Sequence, residues 1–199
     1  MPPPPLPFPY PLRIGTDICR VARIAHILRS RQGARFIRRV LAPEELARAR
    51  PAVHQVLRAA AAAQQTGGDG EAALDAYAYA RAATYVAGRF AAKEAAFKAH
   101  PHLRLGFHDI LILSSSDAEE LTGERALAGP GASAPVALIR AGEKGAGARD
   151  QMARVSISHD GEYATATCIG FEAGSAGSGQ CTSEPPRKGW AAWFSRIWS

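Results

Sequence analysis

The stretch GRFAAKEAAFKAH, residues 88–100, consists mostly of strong helix formers, with two phenylalanines spaced seven residues apart. On a helix of about 100° per residue, Val86, Phe90 and Phe97 fall within about 40° of one another. They predict an apolar stripe that packs on the body of the protein. We therefore expect a long helix over roughly residues 77–99, with Pro101 helping to end it.

Charged residues lie along both edges of this stripe. Arg89 and Lys93 lie on one edge, and Glu94 and Lys98 lie on the other. Groups at these positions are anchored by the buried face and can still reach a ligand. The alternative is an ordinary surface ion pair, because Glu94 and Lys98 are four residues apart in the favourable order.

Length and composition indicate one globular domain with tails. The chain has 199 residues, of which 47% are hydrophobic and 21% charged, and its net charge is +6. This charge favours an anionic partner: nucleic acid, phosphates, an anionic membrane or an acidic protein. No apolar run approaches the length that crosses a bilayer. The cysteines (Cys19, Cys168 and Cys181) form no CxxC pair, which indicates a reducing compartment and no structural zinc.

Changes in composition divide the chain into segments. Residues 1–11 form a proline-rich leader, predicted to be disordered, that has neither the pattern of a secretory signal nor that of a mitochondrial presequence. The domain is predicted over residues 12–171, with a low-complexity insertion at 59–76. A flexible linker over 172–189 leads to a Trp-rich terminal helix over 190–199, which either docks on protein or contacts a membrane surface.

The order of predicted elements favours an α+β fold with antiparallel pairing. Asp160-Gly161 is a strong hairpin signal. The predicted elements are a strand at 12–18, helices from Val21 and around LAPEEL, the long helix, strands at 107–113 and 135–140, and two strands around Asp160-Gly161.

Two more segments contain polar residues that suggest chemistry. Asp17 lies in the apolar segment IGTDI, where a buried carboxylate needs a metal or a hydrogen-bond network, although it could also cap a helix. His159 lies where a strand meets a turn, a place where histidine is usually just solvated. Two carboxylates, Asp17 and Glu94, together with phosphate oxygens and waters, suit Mg²⁺. With the nearby cations, they suggest magnesium-assisted chemistry on a pyrophosphate.

The segments IGTDICRVARI, RFIRRVLAPEEL, AGRFAAKEAAFKA, FHDILI and VSISHDGEYATA, in this order, resemble the motifs of the holo-acyl-carrier-protein synthases. These are the small class of 4′-phosphopantetheinyl transferases, and the resemblance covers most of residues 12–171. It implies the family's fold, an antiparallel sheet packed with a long helix. It also implies transfer of the phosphopantetheine arm of coenzyme A to a serine of an acyl carrier protein, with release of 3′,5′-ADP.

The resemblance implies roles for individual residues. Asp17 and Glu94 would hold Mg²⁺ with the coenzyme A pyrophosphate. Lys93 and Lys98 would neutralise phosphate charge, and Asp17, Glu94 and Lys98 would form the catalytic set. Either Glu94 or a water would take the proton of the attacking serine. The expected contacts to the nucleotide half are Arg89 and His159, assisted by Ser158.

A basic segment follows the first strand, with seven arginines in twenty residues and no acid. It predicts a docking face for an acidic carrier protein, although an RNA- or membrane-binding patch has the same charge. Few aromatic residues interleave the arginines, which disfavours nucleic acid. The predicted docking residues are Arg20, Arg23, Arg35, Arg38 and Arg39.

Two other functions compete with this one. A non-catalytic docking module would bind carriers or nucleic acid without Mg²⁺, and the intact Asp17 and Glu94 disfavour it. A different magnesium-dependent phosphotransfer enzyme is disfavoured by the lack of a GxxxxGK[ST] loop. The resemblance also implies a homotrimer with active sites between subunits. The compartment stays open between mitochondrion and cytosol, with the mitochondrion favoured.

Overall fold

A 24-residue helix, α5 (Ala76–Ala99), packs across one face of an antiparallel sheet. The structure is a computed structural model, and it describes residues 10–66, 75–123, 134–140 and 150–171. The other helices are α1 (Val21–Arg29), α2 (Gly33–Val40), α3 (Pro43–Ala47), α4 (Pro51–Thr66) and α6 (Ser115–Thr122). The strands are β1 (Leu12–Arg20), β2 (Ile110–Ser114), β3 (Pro135–Ile139), β4 (Gln151–Asp160) and β5 (Tyr163–Phe171).

The five strands are ordered β1-β5-β4-β3-β2, and every neighbouring pair is antiparallel. The β4–β5 hairpin turns at Gly161, whose φ of 51° suits a residue without a side chain. The predicted hairpin and the predicted α+β class are confirmed. The first strand pairs with the last one, and Asp17 on β1 lies opposite Ala166 on β5.

Helix α5 follows its sequence signals closely. The Asp75 side chain caps its N-terminus by accepting a hydrogen bond from Tyr77 N. Val86 and Phe90 are buried in the core, as their spacing predicted. At the other end, His100 N donates to Ala96 O, just before the proline that cannot continue a helix. The predicted long helix is confirmed.

Two predicted segments begin differently in the structure, and one helix was not predicted. The strand expected over 107–113 begins at Ile110, because Phe107–Asp109 form a 3₁₀ turn in which Asp109 Oδ2 accepts from Gly106 N. The expected insertion over 59–76 begins as helix, since α4 continues to Thr66. Helix α6 was not predicted; the Ser114 hydroxyl caps it by accepting a hydrogen bond from Asp117 N.

Several predicted segments lie outside the described residues: most of the leader at 1–11, residues 67–74 of the expected insertion, the linker at 172–189 and the Trp-rich helix at 190–199. Within the described residues, no helix combines the length and the hydrophobicity that crossing a membrane requires.

The two faces of the sheet have different surroundings. Gly15, Asp17 and Cys19 of β1 face α5, and Cys19 is buried. On the opposite face of β1 and β5, several large apolar side chains are exposed; we call this the open sheet face. It consists of Leu12, Ile14, Ile18, Tyr163, Ile169 and Phe171.

Candidate active site

The site begins where α5 crosses β1. Lys98 Nζ lies 2.9 Å from Asp17 Oδ1 and donates a second hydrogen bond, of 2.7 Å, to Thr16 O. The carboxylate that Lys98 pairs with is therefore Asp17, and the expected alternative of a simple Glu94–Lys98 surface pair is wrong. A cation and a carboxylate from distant parts of the chain are held together at this crossing.

Gly15 explains why the helix and the strand come so close. A Cβ atom on Gly15 would lie 2.0 Å from Ala95 O and 2.7 Å from Ala99 N. No residue with a side chain fits there without moving α5. Two residues farther along β1, Asp17 points toward the same helix. It is a strand residue, and the N-cap of α1 is Arg20, so the alternative of Asp17 as a helix cap is wrong.

Glu94 lies beside this pair and is 6% exposed. Burial raises the pKa of Glu94 to about 7, and the negative charge of Asp17 adds to the shift. Lys98 and Arg23 act in the opposite direction. Two carboxylates that repel each other, one of them buried, form a place where added positive charge is strongly favoured.

The donor set at this crossing fits a hard cation that takes part of its shell from a ligand. Within the described residues, no group of three or more histidine, cysteine, aspartate or glutamate side chains could hold a metal. Two carboxylates are too few for a complete protein cage. They match the way Mg²⁺ is usually held, by one or two carboxylates together with phosphate oxygens and water.

A cleft of about 540 Å³ runs along the N-terminal half of α5, and its basic lining residues are Arg50, Arg81, Arg89 and His159. No acidic side chain lines it. The Nε atom of Arg89 is buried and has no hydrogen-bond partner. An unpaired buried donor in a basic cleft is suited to an anionic ligand.

One wall of this cleft is formed by a repeating pattern of tyrosine and arginine on α5. Tyr77, Arg81, Tyr85 and Arg89 follow one another at intervals of four residues, which places them on one side of α5. The Arg89 guanidinium lies 4.8 Å from the Tyr85 ring centroid, and that of Arg81 lies 5.6 Å from the Tyr77 centroid. Each arginine is thus supported by the aromatic ring of the preceding turn. Sequence reasoning found Arg89 but missed Arg81, although the four-residue repeat was visible.

Arg50 was also missed. It lies between α3 and α4, and no local pattern connects it to α5.

His159 reaches the cleft from β4. Its Nε2 atom lies 3.1 Å from Thr84 O on α5. The contact is possible because residue 88 is glycine: a Cβ there would lie 2.8 Å from His159 Nε2. The structure therefore brings His159 and Arg89 to one cleft, as predicted.

Ser158 does not join them. It precedes His159 on β4, so its side chain points to the opposite face of the sheet. Its hydroxyl is therefore separated from the cleft.

Lys93 also differs from the prediction. It is fully buried, and its ammonium donates to Glu45 Oε2 (2.5 Å), Val40 O (2.7 Å) and Phe107 O (2.7 Å). With all three hydrogens engaged inside the core, Lys93 has none left for a phosphate. The predicted phosphate contact of Lys93 is therefore wrong for this arrangement.

The predicted docking arginines differ in exposure. Arg35, Arg38 and Arg39 are exposed on α2. Arg20 is exposed and pairs with Glu162 at 2.9 Å. Arg23 is partly buried, and its charge acts on Glu94. Arg23 thus joins the basic segment to the carboxylate pair.

Comparison with known proteins assigns the class. The family model of the 4′-phosphopantetheinyl transferase superfamily matches residues 13–168, so the chain belongs to this superfamily. A curated relative is 4′-phosphopantetheinyl transferase B, mitochondrial, of Aspergillus fumigatus. It is 34% identical over 167 residues, which cover 82% of this chain and 96% of the relative. The resemblance found in the sequence is confirmed at this level.

Solved structures with a related arrangement include two holo-acyl-carrier-protein synthases. The enzyme of Plasmodium yoelii is 25% identical, with a TM-score of 0.46, over 79% of this chain and 91% of that one. The enzyme of Helicobacter pylori, solved in complex with coenzyme A, is 24% identical, with a TM-score of 0.43, over 78% of this chain and 96% of that one.

Proposed function

We propose that this protein transfers the 4′-phosphopantetheine arm of coenzyme A to a serine of an apo acyl carrier protein and releases 3′,5′-ADP. Membership of the superfamily supports the transfer chemistry. The observation that carries the proposal is the position of Asp17, Glu94 and Lys98 at one crossing, beside a basic cleft on the same helix. A molecule with a pyrophosphate and a phosphorylated nucleotide end needs positive charge at both of these places.

The cleft residues would bind the nucleotide half of coenzyme A. Arg81 and Arg89 are held by aromatic rings, so they lose little freedom when they bind a phosphate. His159 would contact the same group from β4. Lys98 would approach the pyrophosphate, where it neutralises charge on the departing 3′,5′-ADP.

Asp17 and Glu94 would hold Mg²⁺ together with the pyrophosphate. The bound ion supplies charge neutralisation of the phosphate that is attacked. The protein's own part is to position the reacting groups, which accounts for most of catalysis in phosphoryl-type transfer. The attacking serine must lose its proton, and two acceptors are available: the Glu94 carboxylate and a water molecule.

A direct test incubates the protein with coenzyme A, Mg²⁺ and an apo acyl carrier protein and weighs the carrier by mass spectrometry. We expect a gain of one phosphopantetheine, lost with Glu94→Gln and with a chelator. Glu119→Gln, on α6, is the matched control and should leave the gain intact. If the protein binds carriers but leaves them all unmodified, the docking-module function replaces this one.

The carrier would dock on the basic segment. Carrier proteins are acidic, and the exposed arginines of α2 provide the complementary charge close to Glu94. A homotrimer is the assembly that we propose, with the open sheet face between subunits. Exposed side chains such as Ile14, at 68%, and Ile18, at 64%, support association through this face.

The mitochondrion is the compartment that we propose. The support is the mitochondrial name of the Aspergillus fumigatus relative. Imaging the tagged full-length chain against a mitochondrial marker tests this placement, and a uniformly cytosolic signal would contradict it.

A further inference from the structure

The buried ion pair between Lys93 and Glu45 lies between the parts of the molecule that the proposed function uses. Both side chains are almost completely buried, at 0% and 1% exposure. Three oxygen atoms accept hydrogen bonds from Lys93 Nζ, and an ammonium is the only form of lysine with three hydrogens to donate. Lys93 is therefore charged in this arrangement.

Glu45 is equally well satisfied. Its Oε2 accepts from Ala42 N at 2.9 Å as well as from Lys93, and its Oε1 accepts from Ile112 N at 3.0 Å. The pair thus connects α5, α3, the loop after α2, the 3₁₀ turn and β2. Within the described residues, both partners are fully hydrogen-bonded, so the pair forms a closed network inside the core.

The network also holds the C-terminal end of α2. The last carbonyls of a helix have no partner within the helix. Here Lys93 Nζ bonds to Val40 O, and His108 Nε2 lies 2.8 Å from Arg38 O. The C-terminal end of α2 is therefore held in place by groups on α5 and on the 3₁₀ turn.

Stability alone does not account for such a pair. Replacing a buried ion pair by well-packed apolar groups is often neutral or stabilising, whereas a charged network permits few alternative arrangements. Lys93 immediately precedes Glu94, and α2 displays Arg35, Arg38 and Arg39. The pair thus joins the segment that bears the catalytic carboxylate to the segment that bears the docking cations.

We propose that Lys93 and Glu45 are a positioning pair that fixes the distance between the carrier-docking arginines of α2 and the carboxylate site on α5. This inference rests on the proposed transferase function. The pair would touch neither substrate. Its loss would misplace the docked carrier serine relative to the phosphate, while coenzyme A would still bind to α5 and β4.

The test compares Lys93→Met/Glu45→Gln with the wild-type protein. The double variant removes both charges. The glutamine carbonyl oxygen can still accept from a backbone N–H group, whereas its amide nitrogen can only donate. We expect kcat/KM for the carrier to fall by roughly tenfold or more, while KM for coenzyme A changes less than about twofold.

The matched control is Arg140→Met/Glu44→Gln. Arg140 and Glu44 form a neighbouring ion pair, 2.6 Å long, that connects the same short helix α3 to the end of β3 but does not involve α5. This control should leave kcat/KM for the carrier and KM for coenzyme A nearly unchanged. An equal loss in the control, or parallel losses for both substrates, would overturn the proposal, because the pair would then be only structural. No loss in the double variant would overturn it as well.

A second measurement needs no variant. In the wild-type protein, the amide hydrogens of Ala42 and Ile112, which bond to Glu45, should exchange with solvent as slowly as those of β5, which is hydrogen-bonded to a neighbouring strand on both sides. Fast exchange at either amide would show that the network is not rigid and would reject the proposal. Wild-type turnover in the same assays reports separately on the proposed function.

Discussion

Lys98 Nζ and Asp17 Oδ1 are 2.9 Å apart although 81 residues separate them in the chain. The pair exists because α5 lies directly on β1 at Gly15. A cation on the helix and a carboxylate on the strand are thereby held in direct contact at this crossing. Glu94 and the basic cleft lie along the same helix.

The close approach at Gly15 leads to a first prediction. Gly15→Ala should lower the free energy of unfolding by about 2 kcal/mol or more, because the new methyl group would overlap Ala95 O. Denaturant unfolding measures the loss, and carrier modification should fall with it. Gly106→Ala is the control, since the added Cβ atom would lie 3.5 Å from its nearest neighbour, Asp109 Oδ2. Equal stability of the two variants would contradict the packing at the crossing.

The raised pKa of Glu94 leads to a second prediction, for the metal-free protein. The pKa is about 7 in the folded state and about 4.5 in an unfolded chain, so the folded state holds this proton more tightly. The corresponding stability is fully present below pH 4.5 and is lost as the pH rises through 7. Unfolding of wild type and Glu94→Gln in a chelator, from pH 4 to pH 8, should show the wild type losing stability relative to the variant.

A difference between the two curves that stays constant over this range would show that Glu94 has an ordinary pKa. Added Mg²⁺ should stabilise the wild type more at pH 8 than at pH 5, because the ion and the proton compete for the same carboxylate.

The repeat of tyrosine and arginine on α5 leads to a third prediction. Arg81→Gln and Arg89→Gln should each raise KM for coenzyme A by roughly 10- to 100-fold, the range expected for losing a charged hydrogen bond. For dephospho-coenzyme A, which lacks the 3′-phosphate, the change should be much smaller. Arg48→Gln, outside the cleft, is the control. Equal effects on both substrates would place the 3′-phosphate elsewhere.

The exposed arginines of α2 lead to a fourth prediction. Arg35→Gln/Arg38→Gln should raise KM for the carrier by about threefold to tenfold and leave KM for coenzyme A unchanged, because only the acidic carrier meets this surface. Raising the salt concentration should weaken wild-type docking in the same direction. Arg58→Gln, on α4, serves as the control. If KM for the carrier changes neither with salt concentration nor with these substitutions, α2 is excluded as the docking face.

The open sheet face leads to a fifth prediction. Ile14→Glu should convert the proposed trimer to a monomer, because a buried interface does not tolerate an unpaired carboxylate. Light scattering coupled to size-exclusion chromatography measures the mass. Leu121→Glu, on α6, introduces the same charge at another exposed apolar site and should leave the assembly unchanged. A wild-type protein that is monomeric at micromolar concentration would reject the trimer directly.

The local elements were predictable because their signals are local. The stripe of Val86, Phe90 and Phe97 predicts α5, and Asp160-Gly161 predicts the hairpin, since periodicity and turn chemistry act over a few residues. The boundary at Phe107 was not predictable in this way, because an apolar residue suits a strand and a packed 3₁₀ turn equally well.

The site was only partly predictable. Asp17, Glu94 and Lys98 were grouped by the resemblance of their motifs, and the structure brings them together. Lys93 was assigned to phosphate by the resemblance of its motif, and a helical projection places it at the edge of the buried stripe. Its true partner, Glu45, lies 48 residues earlier in the chain. A projection of one helix cannot show which other segment covers its edge, so the burial of Lys93 needed the tertiary structure.

The pairing of β1 with β5 has a consequence for how the protein is made. Leu12 lies opposite Phe171, so the strand that carries Asp17 finds its partner only after nearly the whole domain has left the ribosome. Nascent chains that stop before β5 would contain every arginine of the proposed docking face. Their β1 would still lack the strand with which it pairs. Folding of the domain and assembly of its carboxylate pair would then be a single late event.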